Sequence, residues 1–341
     1  MNNTDAFHWF IFLSVSTFFM YSVCFLSVFS EEDSFSFDGF YKNNLMAKTE
    51  TDIKKEKKEP ISLAFVGDIM MDRGLRSVSN TYGYGDYSYI TKHLDFLSEY
   101  DIVFGNLEGP VSDVGYDLNG RYSFRMAPEV ISTLTEANFS VLSVANNHAG
   151  DWGREAFMDT VNRLNLAGVN VVGGGMDYHD AKRLSVIEID GYSVGFVGFS
   201  DTGPDWLEAG PSTSGILLAR SHYHDEVIKK ASQDVDSLIV SYHFGEEYQK
   251  EPNNRQKFLA RKAIEQGADI VIGHHPHVVQ KVEKYKNGVI AYSLGNFIFD
   301  QYFSKETMSG IMLVVEIDGG KVEYHTEDVE MTSHFQPFLK E

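Results

Sequence analysis

Ile270-Val271-Ile272-Gly273-His274-His275-Pro276-His277 closes an apolar run with three imidazoles in four positions. The run reads as a buried strand and the histidines as the loop that leaves it. Gly273 lets the strand end turn sharply. Pro276 fixes the backbone between His275 and His277 and so lowers the entropy lost in organising the pair. Two imidazoles one residue apart can serve two neighbouring cations or two positions on one. His274 reads as outward-facing or as support for the other two. The plain alternative is a surface histidine cluster.

Working outward, the same pattern recurs in Val66-Gly67-Asp68, Asn106-Leu107-Glu108, Asn146-Asn147-His148, Tyr242-His243 and Gly295-Asn296. Each is weak alone. A Gly-Asp pair is more often a turn, Asn-Asn-His is as readily a helix cap, and a histidine among aromatics is usually packed. Together they are what a sheet does when its loops converge on one site. Two carboxylates, an amide and several imidazoles make an oxygen and nitrogen set large enough for two divalent ions. Such ions lie roughly 3.5–4 Å apart and brace the oxygens of an in-line displacement.

Between these segments, helical and strand patterns alternate. Strands are expected at 61–66, 101–104, 140–144, 169–172, 237–242 and 270–272, and helices at 89–97, 128–137, 153–167, 222–232 and 253–266. Asp190-Gly191 joins two β-rich stretches as a hairpin. Gly173-Gly174-Gly175 reads as a tight turn. The C-terminal part is β-rich, at 289–292, 311–317 and 322–329. The alternation predicts an α/β fold, and the hairpins within it predict two packed mixed β-sheets flanked by helices.

The chain has 341 residues, 43% hydrophobic and 23% charged, enough for a sizeable core over 61–341. Its net charge of −20 argues against nucleic acid as a partner. An anionic substrate would need local positive charge, which bound metal provides. Cys24 is the only cysteine, so ligation must use oxygen and imidazole, a set that suits Mn, Fe or Zn. The uncharged run Trp9–Ser30 predicts a membrane-spanning helix at 9–30, preferred over a cleaved signal peptide because no A-x-A-like site closes it. Residues 31–60 read as a solvated linker ending at Pro60. Lys42 and Lys48, taken alone, favour an inside location for the domain C-terminal to the run.

Six motifs are more specific in series than singly. They are Gly67-Asp68-Ile69-Met70, Asn106-Leu107-Glu108, Ala145-Asn146-Asn147-His148 with Asp151 and Gly153 behind it, His243-Phe244-Gly245-Glu246-Glu247-Tyr248, Gly273-His274-His275-Pro276-His277-Val278-Val279-Gln280, and Ser293-Leu294-Gly295-Asn296-Phe297. Their order over residues 61–300 resembles the CapA family of poly-γ-glutamate capsule synthesis proteins, whose domain is related to calcineurin-like metallophosphoesterases. The resemblance implies a double-sheet αββα fold. It also implies that Asp68 and His277 ligate a first metal, that Glu108 bridges, and that Asn147, His243 and His275 ligate a second. His148 is left as the catalytic imidazole. Asn106, Asn146, Asp151, Glu247, His274 and Asn296 are expected to support the ligands or meet substrate.

The same resemblance implies an extracellular domain held at the cell membrane by a single N-terminal helix, which outweighs the lysine count. The implied partners are an anionic capsule polymer or its precursor and other membrane subunits of a capsule synthase. One departure stands out. Where the wider superfamily has Asp-x-His, this chain has Asp68-Ile69-Met70. A thioether is a weak ligand for Mn, Fe or Zn, so the first metal is expected to be weakly held, absent, or completed by an oxygen such as that of Asp72. Two functions therefore stand side by side: a metal-dependent phosphoesterase-like hydrolase, favoured by His148, and a non-catalytic metal-binding accessory subunit of the synthase or exporter, favoured by Met70.

Overall fold

Strand β1 (Ile61–Ile69) is buried on both faces, as a central strand of a mostly parallel sheet must be. Leu63 and Phe65 point to one side and Ala64 and Val66 to the other, the period of two that an extended chain imposes. The computed structural model describes residues 60–340. The expected anchor at 9–30 and all but the last residue of the linker at 31–60 lie outside the described residues. No helix among the described residues is long and apolar enough to cross a membrane.

Around β1 an eight-stranded mixed sheet is built. On one side stand β2 (Ile102–Leu107), β3 (Phe139–Ser143) and β4 (Asn170–Val172), all parallel. On the other stand β14 (Ser309–Asp318), β15 (Lys321–Met331) and β16 (Pro337–Leu339), all antiparallel. The short β13 (Asn296–Ile298) runs parallel beside the end of β1. The second sheet has six strands in the order β11 (Val282–Tyr285), β12 (Gly288–Ala291), β10 (Ile270–His274), β9 (Ser237–His243), β7 (Tyr192–Ser200) and β6 (Ser185–Ile189).

The sheets pack face to face. Leu63, Phe65, Phe104 and Val315 of the first share a core with Phe196, Ile239 and Ile272 of the second. Against the outer face of the first sheet lie α1 (Arg73–Tyr82), α2 (Ser88–Thr91), α3 (Val130–Glu136) and α4 (Gly153–Leu166), through Leu75, Ile90, Leu134 and Phe157. A four-residue α5 (Tyr178–Ala181), α6 (His224–Asp234) and α7 (Asn254–Glu265) cover the outer face of the second, with Ala181, Ile228 and Leu259 at the contact. A mixed α/β fold with helices outside two sheets is thus the observed architecture.

Two local expectations are corrected, and one helix had no expectation behind it. The single helix expected over 89–97 is broken into α2 and a 3₁₀ turn at Asp95–Glu99, although Ile90, Leu94 and Leu97 are all buried as their spacing required. The glycine triplet is not only a turn. Gly173 takes φ 79°, but Gly174–Gly175 forms a two-residue strand, β5, paired with β8 (Gly215–Ile216). Helix α1 was not foreseen, because half of its sequence is Gly, Ser, Asn and Thr, poor helix formers in isolation.

The join between β1 and β13 depends on a missing side chain. A Cβ at Gly67 would sit 2.0 Å from the carbonyl oxygen of Gly295. Its absence lets the Asp68 amide donate to that oxygen at 3.0 Å and sets Asp68 opposite Asn296. Gly67→Ala is therefore expected to destabilise the fold by about 1–3 kcal/mol, the usual range for overpacking. Urea unfolding monitored by circular dichroism checks this, and an unchanged midpoint would contradict it.

Candidate metal centre

Strand register, more than loop length, brings the polar residues together. Asp68 on β1 lies opposite Asn106 on β2 and Asn296 on β13, while His274 on β10 lies opposite His243 on β9. Asp68, Asn106, His243 and His274 stand at or next to the carboxyl ends of parallel strands, where α/β folds place their ligand sites, and Asn296 opens β13. The loop after β10 holds His275 at φ 96° and His277 at φ 57°, left-handed conformations uncommon for residues other than glycine. Gly273 permits the close packing beneath it, since a Cβ there would lie 2.1 Å from the Tyr292 carbonyl oxygen.

Two groups of three potential donors result, Asp68/Glu108/His243 and Glu247/His275/His277, each with its donor atoms within 4.8 Å of one another. The groups adjoin. The His243 and His275 rings are 4.8 Å apart, and His277 Nε2 is 3.6 Å from Glu108 Oε1. Asp68 accepts from Asn106 Nδ2 at 2.9 Å and from the His275 amide at 3.2 Å. His274 Nδ1 and His277 Nδ1 approach the same carboxylate at 3.2 and 3.3 Å. Asn296 Oδ1 is 2.9 Å from His277 Nδ1. Asn147 Oδ1 meets His243 Nε2 at 2.6 Å, and Asn146 donates to the Leu107 carbonyl at 2.8 Å.

His148 stands beside these groups, Nε2 3.9 Å from Glu108 Oε1. Its Nδ1 is 2.7 Å from Asp151 Oδ2, which also accepts from the Phe124 amide. The Phe124 ring lies against the imidazole, centroids 4.1 Å apart. His148, Glu247 and His277 open onto a cleft of about 460 Å³ that Tyr248 and Phe303 also line.

The donor set fits divalent cations. Both oxygens of Glu108 and Nδ1 of His275 are buried without a hydrogen-bond partner, a state that costs about 1–3 kcal/mol per group unless something else binds there. Oxygen and imidazole donors with no thiolate suit Mn, Fe or Zn. Electrostatics agree. Burial opposes the charge of Asp68, but His274 and His277 hold its carboxyl well below the usual range. Burial, partly offset by His277 and reinforced by Asp68, pushes Glu108 well above it. Burial and the neighbouring His275 push His243 far below an ordinary imidazole. Burial and the charge on His277 likewise bring His275 down to about 3. For His277 burial also opposes the charge, yet Glu108 and Asp68 outweigh it and raise the imidazole to about 9.

Of the two places expected for His274, it takes the supporting one, inward against Asp68. Other residues sit where sequence reasoning did not put them. Glu247 groups with His275 and His277 as a potential ligand, while His277 also keeps Nδ1 3.3 Å from Asp68 Oδ2. Met70 and Asp72 do not complete the site. The Met70 sulfur accepts from the Asp72 amide at 3.2 Å, and the Asp72 carboxylate accepts from Arg76 Nε and the Arg125 amide. The sequence reading passed over Arg73 and Asp300, which pair in the cleft wall. The one available signal was an arginine beside a glycine, Arg73-Gly74, shortly after Gly67-Asp68.

Comparison with known proteins places these observations. Residues 62–301 match the family model described as bacterial capsule synthesis protein PGA_cap. The chain is 35% identical over 266 residues to the PGA biosynthesis protein CapA of Bacillus subtilis, covering 76% of this chain and 69% of that one. To the capsule biosynthesis protein CapA of Bacillus anthracis it is 33% identical over 290 residues, with 81% and 66% covered. The chain thus spans about two thirds of the length of each of these relatives. It is 29% identical over 213 residues to a probable polyglutamine synthesis accessory protein of Mycobacterium tuberculosis, covering 59% and 56%. Among solved structures, a calcineurin-like phosphoesterase, YfkN of Bacillus subtilis, overlays with a TM-score of 0.41 at 14% identity, covering 79% of this chain and 90% of that one.

Cation binding should release protons. Ligation needs a neutral imidazole, and His277 without metal keeps its proton until about pH 9. Affinity for Mn²⁺ is therefore expected to rise as pH climbs from neutrality toward that value. Isothermal titration calorimetry in buffers of different ionisation enthalpy measures the release directly, and a pH-independent affinity would contradict it.

Proposed function

The chain belongs to the bacterial capsule synthesis protein family, and from that premise we propose that it acts in assembly or export of an anionic, poly-γ-glutamate-type capsule polymer. In this reading the domain lies outside the cell, held by the uncharged run Trp9–Ser30, and works with other membrane subunits of the synthase on the polymer or its precursor. Its site is a two-metal, hydrolase-like centre. The observation that carries the reading is the pairing of two three-donor groups around Glu108, whose buried oxygens accept no hydrogen bond among the described residues.

Divalent ions bound by Asp68, Glu108 and His243, and by Glu247, His275 and His277, would supply Lewis-acid stabilisation of a substrate oxyanion. This chain's own residues would do the rest. Asp151 fixes the His148 ring through Nδ1, leaving Nε2 toward the cleft to give a proton to a leaving oxygen. Phe124 packs on the ring, restricts its rotation and screens it from water. Asn106 and Asn296 orient Asp68 and His277 by hydrogen bonds, as residues around metal ligands commonly do.

A second reading keeps the cations and drops the turnover: a metal-binding accessory subunit that holds the polymer. It is favoured by Met70, whose sulfur is engaged by the Asp72 amide where a ligand would be expected, and by the accessory role named for the mycobacterial relative. His148→Ala separates the two. The hydrolase reading expects the rate on a simple aryl phosphodiester with Mn²⁺ to fall about 10²–10⁴-fold. Equal rates in both proteins would remove the catalytic role of His148 and leave the accessory reading.

A further inference from the structure

We propose that Arg73 is the oxyanion-recognition residue of the cleft, engaging a phosphoryl or carboxylate group of the ligand, with Asp300 as the internal counter-ion that the ligand displaces. This deepens the function proposed above and rests on it for the identity of the cleft.

Among the described residues, Arg73 is the only lysine or arginine lining the cleft, in a chain whose net charge is −20. An anionic ligand entering beside Glu247 and Asp300 meets no other lysine or arginine there. The backbone of Arg73 adopts φ 48°, a conformation that a long side chain avoids unless its surroundings enforce it. What that conformation achieves is the aim of the side chain. The guanidinium carbon lies 4.6 Å from the centroid of Phe124 and 5.9 Å from that of Phe299. Phe124 in turn stacks on His148. The cation is thereby held on the same aromatic ring as the imidazole proposed to act on the ligand.

The guanidinium is neither free nor satisfied. One of its terminal nitrogens pairs with Asp300 Oδ1, while Nε is buried with no hydrogen-bond partner. The Arg73 side chain is 34% exposed, against 10% for Asp300. Asp300 is tied back by the Gly74 amide, which donates to its Oδ2 at 2.9 Å. The carboxylate is thus fixed, and the partly exposed arginine lines the cleft. A planar fork with unused donors suits two oxygens of one phosphoryl or carboxylate group better than an ammonium does. Asp300 keeps the cation compensated until the ligand arrives and competes with it afterwards.

The test is binding of two probes, inorganic phosphate and a γ-linked glutamate oligomer, to the full chain with and without Mn²⁺. Calorimetry on wild type, Arg73→Gln, Arg73→Lys and Asp300→Asn gives the affinities, with thermal melts reporting folding. Arg73→Gln is expected to weaken at least one probe about tenfold or more, with Arg73→Lys recovering only part of the loss, as charged hydrogen bonds of about 1.5–3 kcal/mol imply. Asp300→Asn is expected to tighten binding. The probe that responds identifies the source of the oxyanion. Unchanged affinity in Arg73→Gln overturns the proposal, as does a wild type that binds neither probe. Should Arg73→Gln fail to fold, unchanged or weakened binding in Asp300→Asn overturns it instead. Arg73-dependent binding without His148-dependent hydrolysis would sink the hydrolase reading alone. Hydrolysis that persists with Arg73-independent binding would sink this proposal alone.

Discussion

A glutamate carboxylate enclosed away from water, with neither oxygen hydrogen-bonded, is the constraint on which this site turns. Glu108 lies next to a second buried carboxylate, Asp68, and removing such groups from solvent without compensation is strongly unfavourable. The chain surrounds them with imidazoles and amides, not with lysine or arginine. Those neighbours divide into two kinds. His277 is pushed toward its charged form by both carboxylates, while His243 and His275 are pushed toward the neutral form that can donate a lone pair. A proton balances part of the charge, and cations would balance it more completely.

The fold serves that cluster. Parallel pairing brings residues far apart in sequence into register, Asp68 with Asn106 and with Asn296 at the start of β13, and again His243 with His274. Glycines at 67 and 273 allow backbones to approach where any side chain would collide. The strained conformations at His275 and His277 sit directly on the donor groups. Such strain persists only where the surrounding packing enforces it, and here the inter-sheet core of Phe65, Phe104, Phe196 and Ile272 lies beneath.

Much of this was legible in the sequence because burial writes a simple pattern. Ile61–Val66, Ser237–Tyr242 and Ile270–Ile272 are largely apolar runs, broken only by Ser62, Ser237 and Ser241, and a residue of the site follows each within two positions. What the sequence hid falls into two classes. Helix α1 has few apolar residues to declare a period, and its place depends on Leu75 meeting a core assembled from distant elements. The grouping of Glu247 with His275 and His277 and the Arg73–Asp300 pair across more than two hundred residues are tertiary facts. No local spacing encodes them. The Met70 departure was visible from the start, but only the structure shows its sulfur engaged in the turn that leads to α1.

Family membership ties the chain to capsule synthesis proteins, and the buried donors suggest what such a domain does chemically. The most direct measurement of that claim is the metal content of the purified full chain and of its Glu108→Gln variant, by elemental mass spectrometry. The account predicts about two divalent ions per chain in the native protein and a clear loss in the variant. A native protein holding well under about one ion per chain, or a variant that retains the native content, would contradict it.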